Sequence, residues 1–203
     1  MSEFFLELFS EEIPAKLQQN VRDTILDNFR KLFLERELTF KKNLSYSTPN
    51  RLVVLFDGLP KEINQKEQEI RGPNINAPES AIEGFLRSNK ISKNQIFTKK
   101  IEKGEFYFFK KLANKIKTQE LLNEDLPKIL DKIKWKKSMK WGNFDLEWAR
   151  PLKSILAIFD GKNLNFKFHH LEASNFTYVD KDFENKKKIF KSYKDYQKYF
   201  TEK

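Results

Sequence analysis

KSMKWGNFDLEWARPLKSILAIFDG, residues Lys137–Gly161, joins a lysine-rich approach bearing Trp141 to a β-prone run, and its reading decides the fold. From Leu152 to Phe159 only Lys153 and Ser154 interrupt the apolar side chains, which suits a buried strand. Pro151 fixes the backbone at the strand entry. A second strand is expected over Leu164–His170, with Asp160–Asn163 as the turn of a β-hairpin. Trp141 precedes Gly142 and a turn at Asn143, so it is expected to anchor core, with Lys140 pointing the other way.

Outward from there the pattern alternates between strand and helix. Phe4–Phe9 reads as a strand. Pro14 suits a helix first turn, with Glu11 and Glu12 near the positive helix end. Leu17, Val21, Ile25, Phe29, Leu32 and Phe33 then share one face of a helix ending near Glu37. Leu52–Phe56 is a short apolar strand closed at Asp57-Gly58, and Lys61–Glu69 alternates as an edge strand. Arg71–Pro78 reads as a loop, and Pro78 starts a second helix. Gly104 turns the chain into a strand over Glu105–Leu112. Thr118 is a candidate cap for a third helix, which Pro127 is expected to kink or restart at Asp125. Ser192 caps a last helix running to about Phe200. The expected class is α+β: a mixed or antiparallel sheet with helices packed on one face, an RNA-recognition-like platform. Two subdomains are expected, 1–114 and a basic 115–203, with linker at Asn114–Lys117 or Asn175–Lys188.

The chain has 203 residues, 39% of them hydrophobic and 33% charged, enough for a core under a polar surface. It has no cysteine, which excludes disulfides and thiolate metal sites and fits a reducing compartment. No apolar run reaches the length of a membrane span, and a cytoplasmic location is expected. The net charge of +10 is unevenly placed. Residues 1–98 carry 14 basic and 14 acidic side chains, whereas 99–203 carry 25 and 15. Such an asymmetry points to a surface that meets a polyanion, or to solvated lysines in a lysine-favouring composition.

The chemistry-bearing residues are few. The six glycines are isolated and form no phosphate-binding loop. His169 and His170, adjacent in a strand, would face opposite ways and cannot chelate one ion. Lys132–Trp141 interleaves lysines with Trp135 and Trp141. Lys134, Lys136, Lys137 and Lys140 can neutralise phosphates while indoles stack on unpaired bases. The alternative is a helix end whose lysines offset the dipole while the tryptophans pack inward. Arg71, presented by Arg71-Gly72-Pro73, grips a phosphate or an internal carboxylate. Arg150 is an RNA contact or a partner of Glu147.

Six motifs stand in order: Glu11, Glu12 and Pro14; Thr48, Pro49, Arg51 and Leu52; Arg71–Pro73; Ala81, Gly84 and Phe85; Lys137 with Met139–Gly142; and Arg150-Pro151. In that order they resemble the N-terminal region of the β subunit of bacterial heterotetrameric glycyl-tRNA synthetase. The resemblance covers essentially this whole chain and a minor part of a longer subunit. The chain is therefore expected to be a fragment, a split product or a reduced stand-alone relative. The resemblance implies a partner α subunit in an α2β2 assembly, tRNA as the bound substrate, and ATP with magnesium used through the α subunit. It implies no cofactor and no complete catalytic site in this chain. Arg51 joins the candidate tRNA contacts, although Asn50 replaces the first arginine of the family's usual pair. A Thr-x-Gly-His-Arg-Phe element usual in the family lacks its Gly, His and Arg after Thr177. The alternative function is a stand-alone RNA-binding or subunit-docking module.

Overall fold

The computed structural model describes residues 2–65, 67–102, 104–179 and 186–202. In chain order the elements are β1 (Ser2–Ser10), α1 (Ala15–Glu35), β2 (Lys42–Thr48), β3 (Arg51–Leu59), β4 (Glu62–Gln65), β5 (Gln68–Asn74) and α2 (Glu79–Asn89). They continue with β6 (Ile96–Ile101), β7 (Gly104–Lys111), β8 (Asn114–Lys117), α3 (Thr118–Asp131), β9 (Leu152–Phe159), β10 (Lys162–Asn163), β11 (Lys167–Phe168), β12 (Leu171–Ser174), β13 (Phe176–Tyr178), β14 (Lys187–Ile189) and α4 (Tyr193–Thr201). Asn64–Ile116 form one compact unit, and the residues on either side of it form the other. The expected division at 114/115 therefore gives way to an insertion. The cause is non-local pairing: β1 lies between β3 and β9, which ties residues 2–10 to residues 152–159.

The larger unit is built on a mixed sheet in the order β11-β12-β9-β1-β3-β2. All its pairings are antiparallel except β12 with β9, so the α+β class and the mixed sheet hold. β1 has both faces buried, which explains its nearly unbroken apolar sequence. Phe4 meets Phe29 of α1, and Phe29 and Phe33 close on Phe56 of β3. α3 lies beside α1, where the Arg36 guanidinium donates to the buried Asp125 carboxylate at 2.8 and 3.1 Å. The helices do not all share one face. Phe5, the neighbour of Phe4 on the strand, points the opposite way and meets Tyr193 and Tyr196 of α4. There Phe5, Val53, Leu55, Leu156, Ile158, Phe190 and Tyr196 form a second core. Each such side chain removed from water contributes about 1.5–3 kcal/mol.

Local expectations fare unevenly. Ser192 caps α4, its hydroxyl accepting from the Asp195 N–H at 3.1 Å. Asp160-Gly161 forms the tight turn between β9 and β10, both residues with positive φ. The next hairpin is β11–β12, and His169-His170 form its turn instead of lying in a strand. Thr118 does not cap α3. It is fully buried and donates through Oγ1 to the Pro60 carbonyl at 2.6 Å. α3 runs unbroken through Pro127, because Leu121, Leu122, Leu126, Ile129 and Leu130 are buried on both sides of the proline.

The inserted unit is thinner. Its three-stranded antiparallel sheet has the order β5-β7-β6. β5 takes in Arg71, Gly72 and Pro73, so the expected loop is the end of a strand with a register shift between Arg71 and Asn74. α2 packs on the face that carries Gly72, where an added Cβ would sit 2.9 Å from the Phe85 ring. That close approach is what the glycine permits. No helix among the described residues is long and apolar enough to cross a membrane.

Candidate nucleic-acid interface

α3 ends at Asp131, and the chain then runs irregularly to β9. The lysines of this stretch therefore line a loop and not a helix end. Lys132, Lys134, Lys136, Lys137 and Lys140 are all exposed, and among the described residues none has an ion pair. The loop is pinned by one bridge: Met139 donates its N–H to the Trp148 carbonyl at 2.8 Å, and Trp148 returns the bond at 3.2 Å. Trp148 is the buried indole, packed edge-on against Trp135 at 5.2 Å and against Phe168 at 6.0 Å. Trp141 is only half-buried, its ring edge-on to His170 at 5.9 Å. The core role expected of Trp141 belongs to Trp148, seven positions on.

Beside the lysines the turn at Gly142 (φ 55°) brings out Phe144, which is 42% exposed. Its ring lies on the His170 imidazole, with centroids 3.7 Å apart and planes within 7°. Burial, then the neighbouring His169, lowers the His170 pKa, so the stacked imidazole is neutral at pH 7. His169 Nε2 lies 3.2 Å from an Asp131 carboxylate oxygen. The loop thus combines cations that have no ion pair among the described residues with the exposed ring of Phe144, the two kinds of group that contact phosphate and unpaired base.

The structure gathers some candidates and separates others. Arg150 joins this loop: its guanidinium donates to the Ala149 carbonyl at 2.9 Å and lies 4.0 Å from the Met139 sulfur. No ion pair with Glu147 is present among the described residues. Arg150 also lines a groove with Glu11, Glu12, Asn50 and Lys153. Glu11 faces Lys153 at 3.8 Å and is not part of the first turn of α1.

Arg51 is placed otherwise. Its side chain is 12% exposed and pairs at 2.9 Å with Glu7, which is fully buried. It also donates to the Thr177 hydroxyl at 2.9 Å and to the Tyr178 carbonyl. The guanidinium is sandwiched between Phe9 and Phe200 at 4.4 and 4.7 Å. The Tyr196 hydroxyl donates to the same Glu7 oxygen. An arginine held this way neutralises a buried carboxylate and has no face left for a phosphate. The signal for it was Glu7 itself, a single acid inside FFLELF: a charge in a strand buried on both sides requires a partner. Arg71 sits in the inserted unit, exposed, its guanidinium 3.7 Å from the Phe106 ring centre.

The comparisons with known proteins fit this geometry. The family model described as glycyl-tRNA synthetase beta subunit matches residues 4–203. The chain belongs to that family. It is 43% identical over 197 residues to the glycine–tRNA ligase beta subunit of Rickettsia conorii, covering 97% of this chain and 30% of that protein. The Rickettsia felis and Rickettsia bellii proteins of the same name are 41% identical over 204 and 202 residues. The chain spans about a third of the length of these relatives. Within the family's motifs, Arg51 is structural. Of the departing element after Thr177, residues 180–183 lie outside the described residues. Thr177 itself is fully buried against Arg51.

Proposed function

We propose that the chain acts as the N-terminal part of a glycine–tRNA ligase β subunit and helps hold tRNA while glycine is joined to it. The supporting observation is the loop from Lys132 to Lys140, whose five lysines are exposed and have no ion pair among the described residues, beside the Phe144–His170 stack. In this reading the α subunit of an α2β2 enzyme activates glycine with ATP and magnesium in the cytoplasm, and this chain binds no cofactor. Lys134, Lys136, Lys137, Lys140 and Arg150 contact tRNA phosphates. Arg51 supports the fold beneath them.

Filter binding of tRNA across a salt series tests the reading. Four phosphate contacts give a slope of log K against log salt of roughly −3 to −4. Lys134, Lys136, Lys137 and Lys140 changed together to Glu should sharply weaken tRNA binding, flatten its salt slope and leave the melting temperature unchanged. Equal affinity in wild type and variant would remove this loop from the interface.

A further inference from the structure

We propose that the face of the three-stranded sheet opposite α2 is a stacking platform for unpaired nucleotides of RNA. The proposal rests on the tRNA reading above and adds a second surface of different chemistry. In register, Arg71 and Phe97 both stand opposite Phe108, one on each side, and Lys99 stands opposite Phe106. Residues directly opposite in a sheet share a face. Ile70 and Gly72 alternate to the other face, which α2 covers. The Phe97 and Phe108 rings stack at 6.1 Å with 27° between planes, Phe97 38% exposed and Phe108 buried at 8%. Lys99 passes over Phe108 at 5.6 Å before reaching Glu69 at 2.6 Å. Lys110 pairs at 2.7 Å with Glu67, which stands just before β5.

The chemistry selects the occupant. Residues 64–116 carry 11 basic and 6 acidic side chains, so this unit favours a polyanion. The exposed Arg71 guanidinium lies over Phe106, 3.7 Å from the ring centre, with no ion pair among the described residues. Its planar set of N–H donors is therefore available to a phosphate or a base edge. A ring exposed on a sheet can stack only on a base that is not already stacked inside a duplex, so the fitting ligand is a single strand. The rings alternate with cations, which sets this face apart from the continuous apolar patch of a protein interface.

Fluorescence anisotropy with a short labelled oligouridine, against an RNA duplex of equal charge, tests the proposal on the whole chain. Phe97→Leu keeps apolar bulk and removes the ring. It should weaken oligouridine binding about tenfold, with the thermal melt and duplex binding unchanged. Phe97→Trp should bind as wild type or tighter, and Arg71→Ala should weaken binding with no change in the melt. The quadruple lysine variant of the loop should still bind oligouridine, which separates failure of this proposal from failure of the tRNA reading. Undiminished binding by Phe97→Leu overturns it. So does an absence of oligouridine binding by wild type at low salt.

Discussion

Arg51 and Arg71 are both strand arginines set over phenylalanine rings, yet the two sheets put them to opposite uses. In the large sheet the arginine is enclosed, its charge cancelled by Glu7 and its donors directed inward. In the three-stranded sheet the arginine is exposed, set over one ring, with no ion pair among the described residues. The difference comes from what covers each sheet. The large sheet has α1 on one face and α4 on the other, whereas α2 packs on the Gly72 face of the small one. A motif arginine therefore carries no functional meaning until its strand's second face is known.

The largest test of that contrast is a pair of substitutions. Arg51→Ala leaves the Glu7 carboxylate buried without its cation and should cost about 3–5 kcal/mol in urea unfolding. Arg71→Ala should stay within about 0.5 kcal/mol. Equal losses would erase the distinction between the sheets. On the covered face of the small sheet, Gly72→Ala drives a Cβ to within 2.9 Å of the Phe85 ring. It should cost about 1–3 kcal/mol, read by the same unfolding curves.

The α4 side of the large sheet can be probed by pH. Burial, the largest cause, pushes Tyr193 up to about 12. Burial and then the Glu7 carboxylate push Tyr196 up as well. A raised tyrosine contributes stability that is complete below its unfolded value near 10 and is lost as pH climbs through the folded value. Unfolding free energy should therefore be flat with respect to these two groups at neutral pH and fall between about pH 10 and 12. Tyr196→Phe should flatten that fall. An alkaline limb identical to wild type would show that Tyr196 does not contribute to it. The smallest effect is a gain. Gly84 lies in the exposed face of α2, and a Cβ added there would meet nothing within 4 Å. Gly84→Ala should raise stability by about 0.5–1 kcal/mol.

Much of the local structure was legible because local rules govern it. The period of Val21, Ile25, Phe29 and Phe33 specified α1, Ser192 marked the start of α4, and Asp160-Gly161 marked a turn. What escaped depends on distant partners. The sequence leaves Lys132–Trp141 open between a nucleic-acid contact and a helix end, but α3 stops at Asp131 and the loop is fixed by the bridge from Met139 to Trp148. That bridge buries Trp148 and leaves Trp141 at the rim, a choice between two indoles that flanking residues do not determine. Trp148→Ala should accordingly cost about 3–5 kcal/mol, and Trp141→Ala clearly less. The insertion was hidden for the same reason: nothing within Asn64–Ile116 reveals that β1 pairs past it with β9.

The central place of β1 has a consequence for how the chain is made. Residues 2–10 leave the ribosome before Leu152–Phe159 and remain half-paired until those follow, and Glu7 lacks Tyr196 until α4 has emerged. Contacts this distant in sequence form slowly. The inserted residues 64–116 hold all three strands of their own small sheet and can assemble it during that interval. Meanwhile the FFLELF strand is an exposed apolar segment awaiting a partner, the kind that chaperones shield. Slowing translation between residues 116 and 152 should lengthen that exposure and raise aggregation of the nascent chain, measured as the insoluble fraction.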